Sequence, residues 1–160
     1  MAAQKGTPMV IPARGGRRLL VLGNEIEIKL GSSDTGGMAF VFENTTPPGD
    51  GAPLHVHTHE DEMIRVIEGE YQIFLDGKVY KATAGAVVNF PRSVAHGFRN
   101  ISDKPSHALF IATPGESFER FFQELSSIAP GVPTDMAKIA EVFSRYGLSM
   151  VETSSGASAA

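Results

Sequence analysis

Residues Gly49–Gly69 read GDGAPLHVHTHEDEMIRVIEG, and this stretch decides how the rest of the chain is interpreted. Three histidines, His55, His57 and His59, alternate with single residues, and Glu60, Asp61 and Glu62 follow before the β-type run Met63–Ile67. On an extended strand, residues two apart share a face. His55 and His57 can therefore aim their imidazoles at one point, as a metal with nitrogen ligands requires. A carboxylate brought in where the chain bends adds an oxygen ligand. Two imidazoles and one carboxylate form the minimal set for a catalytic first-row metal with open positions. Histidines also gather on exposed strand edges, so an isolated H-x-H carries little weight.

A second stretch adds to it. Gly85–Asn100, GAVVNFPRSVAHGFRN, joins a short apolar strand to a proline-containing turn and a further histidine, His96, in another β-like run. Three neutral imidazoles and one carboxylate then become available to one ion.

Together these stretches resemble the paired motifs of the cupin family. Gly49, His55, His57, Glu62 and Gly69 fit G-x5-H-x-H-x4-E-x6-G, and Gly85, Pro91, His96 and Asn100 fit G-x5-P-x-G-x2-H-x3-N. Ser93 stands where the second motif carries glycine, which bears on the local turn because glycine reaches positive φ at little cost and serine does not. The resemblance spans about a third of the chain, Gly49 to Asn100. It implies an all-β fold, a small antiparallel β-barrel of the double-stranded β-helix or jelly-roll type. It also implies that His55, His57, Glu62 and His96 hold one divalent metal ion inside the barrel, whether iron, nickel, manganese, cobalt or zinc.

The whole chain fits a single small domain. Its 160 residues suffice for one core, and 42% apolar with 20% charged residues is an ordinary globular composition. No apolar run approaches the roughly 20 residues of a membrane span, and the N-terminus lacks a signal-peptide layout, so the expectation is a cytoplasmic protein off the membrane. The chain has no cysteine, which leaves nitrogen and oxygen as metal ligands. A net charge of −4 with scattered basic residues argues against nucleic acid as a partner.

Taken in order, residues 1–16 read as a flexible arm, with Arg14, Arg17 and Arg18 a solvated basic patch. Residues 17–112 read as the barrel. Leu19–Leu22 is a short apolar run followed by a Gly23-Asn24 turn signal, and Ile26, Ile28 and Leu30 then alternate with charged residues as on a half-buried strand. Met38–Phe42 is the next strand. Asn44–Pro53, with three prolines and two glycines, reads as a long loop. Asp76-Gly77 is a hairpin turn between Tyr71–Leu75 and Lys78–Ala82. Ala86–Phe90, Ala95–Asn100 and His107–Ala112 complete a spacing typical of a sandwich or barrel.

Residues 113–151 read as a helical extension. Thr113-Pro114-Gly115-Glu116 resembles a capping box, and Phe118, Phe121, Phe122, Leu125 and Ile128 follow with helical spacing. After the breaker Ala129–Pro133, Thr134 or Asp135 would cap a second helix with Met136, Ile139, Ala140, Phe143 and Tyr146 as its apolar stripe, stopped by Gly147. This helical pair suits either a cover over one barrel mouth or a subunit contact. Residues 152–160, rich in serine and alanine, read as a disordered tail.

His59 shares the parity of His55 and His57 but falls outside the motif; it is a candidate auxiliary ligand, supporting acid/base or substrate-binding residue, with a solvated histidine as the plainer reading. His107 reads as structural, and Glu60 and Asp61 as a solvated acidic turn. Phe98 shares strand parity with His96 and is a candidate aromatic wall of a substrate cavity. Phe40, Phe42 and Phe90 serve equally as wall or core. The resemblance is nearest to small single-domain cupins related to flavonol-cleaving quercetinases. It implies a metal-dependent dioxygenase acting on a small enolisable or aromatic substrate, with Glu62 as ligand or as the base that takes the substrate proton. An isomerase, decarboxylase or lyase using the metal as a Lewis acid, and a non-catalytic small-molecule-binding module, are the alternatives. A homodimer accords with the same resemblance.

Overall fold

The computed structural model describes residues 5–128 and 135–151. Its elements are β1 (Arg17–Val21), β2 (Asn24–Leu30), β3 (Phe40–Thr46), β4 (Gly51–His57), β5 (Asp61–Glu68), β6 (Glu70–Leu75) and β7 (Lys78–Thr83). They continue with β8 (Val87–Phe90), β9 (His96–Asn100), β10 (Ser106–Thr113), α1 (Glu116–Ser127), α2 (Met136–Arg145) and β11 (Leu148–Met150). One sheet runs β1-β2-β3-β10-β5-β8 and the other β11-β4-β9-β6-β7. Every pairing is antiparallel. The two sheets form a sandwich of the double-stranded β-helix type, with the helices following the tenth strand.

Strict alternation builds the core. Along β3, Phe40, Phe42, Asn44 and Thr46 are buried, and along β10, Ser106, Ala108, Phe110 and Ala112. The facing sheet contributes Tyr71, Ile73 and Phe98. On β5 the same inward parity falls on Glu62, Ile64 and Val66, so a carboxylate occupies a place in line with two aliphatic core residues. The motif asparagine is structural: Asn100 Nδ2 donates to the carbonyls of Thr46 (2.9 Å) and Lys104 (2.8 Å), and its Oδ1 accepts from Ser102 N and Ser106 Oγ. All its polar capacity is used, which fixes the turn after β9 against β3.

Several boundaries differ from the sequence reading. The supposed loop Asn44–Pro53 is mostly strand, because β3 runs on to Thr46 and β4 starts at Gly51, leaving only a short turn. Polar Asn44, Thr45 and Thr46 hid the strand, although their alternating burial continues that of the phenylalanines. The β1–β2 turn is Leu22-Gly23, one residue earlier than expected, with both residues at positive φ (48° and 86°). Asp76-Gly77 forms its hairpin turn as expected, at φ 50° and 72°. Arg17 and Arg18, read as a solvated basic patch, lie in β1 and pair with Glu119 (3.0 Å) and Glu25 (3.0 Å).

The capping box is not formed. The Thr113-Pro114 peptide is cis, the cap of α1 is Gly115, and no side chain bonds to it. Glu119 anchors α1 instead, accepting from Arg17 (3.0 Å), from Ser32 N (2.6 Å) and from Ser32 Oγ (2.7 Å). Asp135 caps α2 by accepting from Lys138 N, and Gly147 ends it at φ 73°. Beyond it comes β11, which the sequence reading omitted because three residues leave no periodicity to detect. The breaker Ala129–Pro133, Thr134, the tail 152–160 and the first four residues lie outside the described residues.

Ser93 adopts φ 64°, the left-handed conformation that the motif glycine would supply, and its N–H donates to His57 O at 2.8 Å. The side chain costs about 1–2 kcal/mol there, offset by about 0.4–1 kcal/mol from the smaller entropy of the unfolded serine chain. Ser93→Gly is therefore expected to stabilise the fold by about 0.5–1 kcal/mol, read as a higher denaturation midpoint with an unchanged slope. A lower midpoint would contradict this account of the turn.

Candidate metal centre

The alternation of β4 turns His55 and His57 into the sandwich, where both are buried. In the pairing of β4 with β9, His55 lies opposite His96. The ring centroids of these three histidines lie 4.5–5.0 Å apart. Glu62 enters from the other sheet, its Oε2 3.5 Å from His96 Nε2. One ligand atom from each of His55, His57, Glu62 and His96 falls within 4.8 Å of every other.

Second contacts orient the rings. His55 Nδ1 donates to Pro53 O (2.7 Å) and His96 Nδ1 to Val94 O (2.9 Å), which leaves each Nε2 as a lone pair. His96 Nε2 is buried with no hydrogen-bond partner among the described residues. His55 Nε2 lies 2.9 Å from His57 Nε2, and a lone pair held that close to a second ring nitrogen calls for a proton or a cation between them. An orphaned buried nitrogen, converging imidazoles and one carboxylate fit a divalent cation with nitrogen and oxygen ligands.

Burial, with the neighbouring imidazoles of His96 and His57 adding to it, pushes the His55 pKa down to about 4, so this ring is neutral near pH 7. Burial alone would raise the Glu62 carboxyl, but His96 Nε2 at 3.5 Å and the imidazoles of His57 and His55 outweigh it and hold it below its ordinary value. The cluster thus presents a neutral ring and an ionised carboxylate, the forms that bind metals.

Above the cluster lies a cavity of about 300 Å³. His55 and Glu62 form its floor, and Phe42, Phe98, Phe110, Phe118 and Phe122 form its walls. Phe42 and Phe98 thus line the cavity, whereas Phe40 and Phe90 do not. Phe90 stacks on His96 (4.4 Å, 9° between planes) and Phe40 packs on Phe42 (5.0 Å). Helix α1 closes one side, with Phe118 4.9 Å from the His57 ring. Phe110, Phe118 and Phe122 were not singled out as cavity residues from sequence. For Phe118 and Phe122 the helical spacing was visible, but not which surface the helix covers. Asn44, placed in a loop by the sequence reading, also lines the cavity, and its buried Oδ1 has no hydrogen-bond partner among the described residues.

The remaining candidates fall elsewhere. His59 is exposed and stands outside the cluster, lying over the end of α2, where a β-carbon on Gly147 would sit 2.6 Å from its Cδ2. His107 pairs with Glu43 at 2.9 Å on the outer face. The acidic turn is split: Asp61 is solvated and bound to Arg92, but Glu60 is fully buried, against expectation. No helix among the described residues is long and apolar enough to cross a membrane.

Residues 42–112 match the family model described as "Cupin domain". The chain is 30% identical over 67 residues to a Streptomyces cyaneus protein named polyketide synthase CurC, covering 42% of this chain and 44% of that one. It is 28% identical over 92 residues to quercetin 2,3-dioxygenase of Bacillus subtilis, covering 58% of this chain and 27% of that one. The chain thus spans less than half the length of these curated relatives. Among solved structures, KdgF from Halomonas superposes with a TM-score of 0.60 at 16% identity, over 68% of this chain and 94% of that one.

Asp61 and Arg92 clamp the two ligand-bearing segments together, with Asp61 accepting from Arg92 N (2.9 Å), Nε (3.2 Å) and Nη2 (2.7 Å). These bonds hold the Asp61 pKa at about 2, against an ordinary 3.8. A depressed carboxyl stabilises the fold above its unfolded pKa and loses that contribution as pH falls through the folded one. The difference in Tm between the wild type and Asp61→Asn is therefore expected to be constant above about pH 5 and to shrink steadily below pH 4 toward pH 2. A gap undiminished across that window would show that the clamp does not depend on the charge.

Proposed function

We propose, from the match of residues 42–112 to the cupin-domain model, that the chain is a cupin and a metal-dependent dioxygenase acting on a small enolisable or aromatic, flavonol-like compound. The observation that carries this reading is the aromatic cavity whose lining includes His55 and Glu62, two members of the converging cluster. Its volume of about 300 Å³ suits a small ligand, and its phenylalanine walls suit a flat ring. The partial likeness to quercetin 2,3-dioxygenase points to the same class of substrate.

In this reading His55, His57 and His96 hold a divalent cation with Glu62. When bound, the cation supplies an electrophile for neighbouring substrate oxygens and, if redox-active, a route to O₂. Glu62 sits at the cavity floor in its ionised form, placed to accept the proton of an enolic or phenolic hydroxyl. The phenylalanines exclude water and set the plane of the ring. The Asn44 amide, unpartnered at the wall, offers a hydrogen bond to a substituent away from the reacting oxygens.

Elemental analysis of the purified protein should find near-stoichiometric iron, nickel, cobalt or manganese, and His96→Ala should lose it. With that metal present, an oxygen electrode should record O₂ consumed in step with quercetin, 3-hydroxyflavone or a 1,3-diketone. Glu62→Gln should lower the rate by about 100-fold or more. Turnover that proceeds equally without O₂ would move the protein to Lewis-acid isomerase or decarboxylase chemistry. Full metal occupancy with no turnover of these compounds would remove this substrate class.

A further inference from the structure

Glu60 is 1% exposed, and neither of its carboxylate oxygens has a hydrogen-bond partner among the described residues. Burying a carboxylate without a donor is among the most costly arrangements a fold can adopt. Beside it stands a second unsatisfied group: His57 Nδ1, also buried and also without a hydrogen bond, lies 3.6 Å from Glu60 Oε2. His55 and His96 each give their Nδ1 proton to a main-chain carbonyl, and His57 has no such carbonyl partner. Each of the two orphaned groups is what the other lacks. A side-chain shift of less than about 1 Å would bring them to ordinary hydrogen-bond distance.

We propose that Glu60 is the positioning residue of His57. It accepts the Nδ1 proton and so fixes the tautomer whose Nε2 lone pair faces His55, Glu62 and His96. The inference rests on the reading of that cluster as a cation site. Glu60 is not itself one of the ligands, since it meets His57 at Nδ1, on the side of the ring away from the Nε2 that faces His55. A carboxylate in this place raises the basicity of the imidazole and holds its orientation.

The test uses the full chain stripped of metal and titrated with Co²⁺ and Zn²⁺ against a competing chelator. Glu60→Leu, which fills the space without an acceptor, should weaken binding by about 10–100-fold. Glu60→Gln, whose amide oxygen still accepts the proton, should recover part of that loss. Proton-detected nitrogen-15 NMR of the zinc-loaded wild type should show a His57 Nδ1 proton protected from exchange and shifted downfield by a carboxylate acceptor. That spectrum decides the matter even if the leucine variant fails to fold: a freely exchanging Nδ1 proton, or none at Nδ1, overturns the proposal. Unchanged affinity in a folded Glu60→Leu protein overturns it as well, and leaves the metal site standing. A wild-type protein that binds neither ion overturns the metal reading and this proposal together.

Discussion

The antiparallel register of β4 against β9 is the constraint on which the centre depends. With His55 opposite His96, two imidazoles from neighbouring strands share one point of the interior, and the two-residue period of β4 adds His57 beside them. A slip of β4 by one residue would turn His55 and His57 to the other face, away from His96. The register is held from several sides: by the Ser93 N–H on the His57 carbonyl, by the Asp61–Arg92 clamp, and by the pairing of β11 along the outer edge of β4. The sandwich supplies the rest by setting Glu62 of the other sheet against the same point.

Such a cluster is costly for the polypeptide alone. His96 Nε2, His57 Nδ1 and both Glu60 oxygens are buried without partners, while nearby Asn100 uses every hydrogen bond it can make. Unsatisfied groups are thus concentrated at the centre rather than spread through the fold. Natural structures keep unpaired buried polar groups mainly where a ligand or an ion completes them. Phe90 stacked on His96 and Phe118 packed beside His57 wall these rings with apolar surface.

Much of this was legible in the sequence because it follows from local rules. The parity of His55 and His57, the Asp76-Gly77 hairpin and the stripe of α1 each need only a few neighbouring residues to be read. The features that escaped are those decided across the fold. Glu60 looks solvated beside Asp61, and only the closure of β4 and β5 around it shows that one acidic residue points in and the other out. Asn44, Thr45 and Thr46 look like a loop because their chemistry is polar, yet their partners on β10 and β2 make them strand. Thr113 and Glu116 have the spacing of a capping box, but the chain enters α1 through a different backbone path. β11 is too short to signal itself and exists only because β4 offers it an edge.

That last strand links the helical extension directly to the strand that bears the histidines. Leu148 pairs with His57 and Met150 with His55, so the segment leaving α2 is stitched to the strand that carries two of the four converging side chains. Phe143 of α2 lies in the cavity wall, while α1 is tied to β1 and to Ser32 through Glu119. A compound cannot reach the imidazoles by lifting α2 without pulling on the backbone that aims them. Any displacement of α2 would thus be passed through β11 to the backbone that carries His55 and His57.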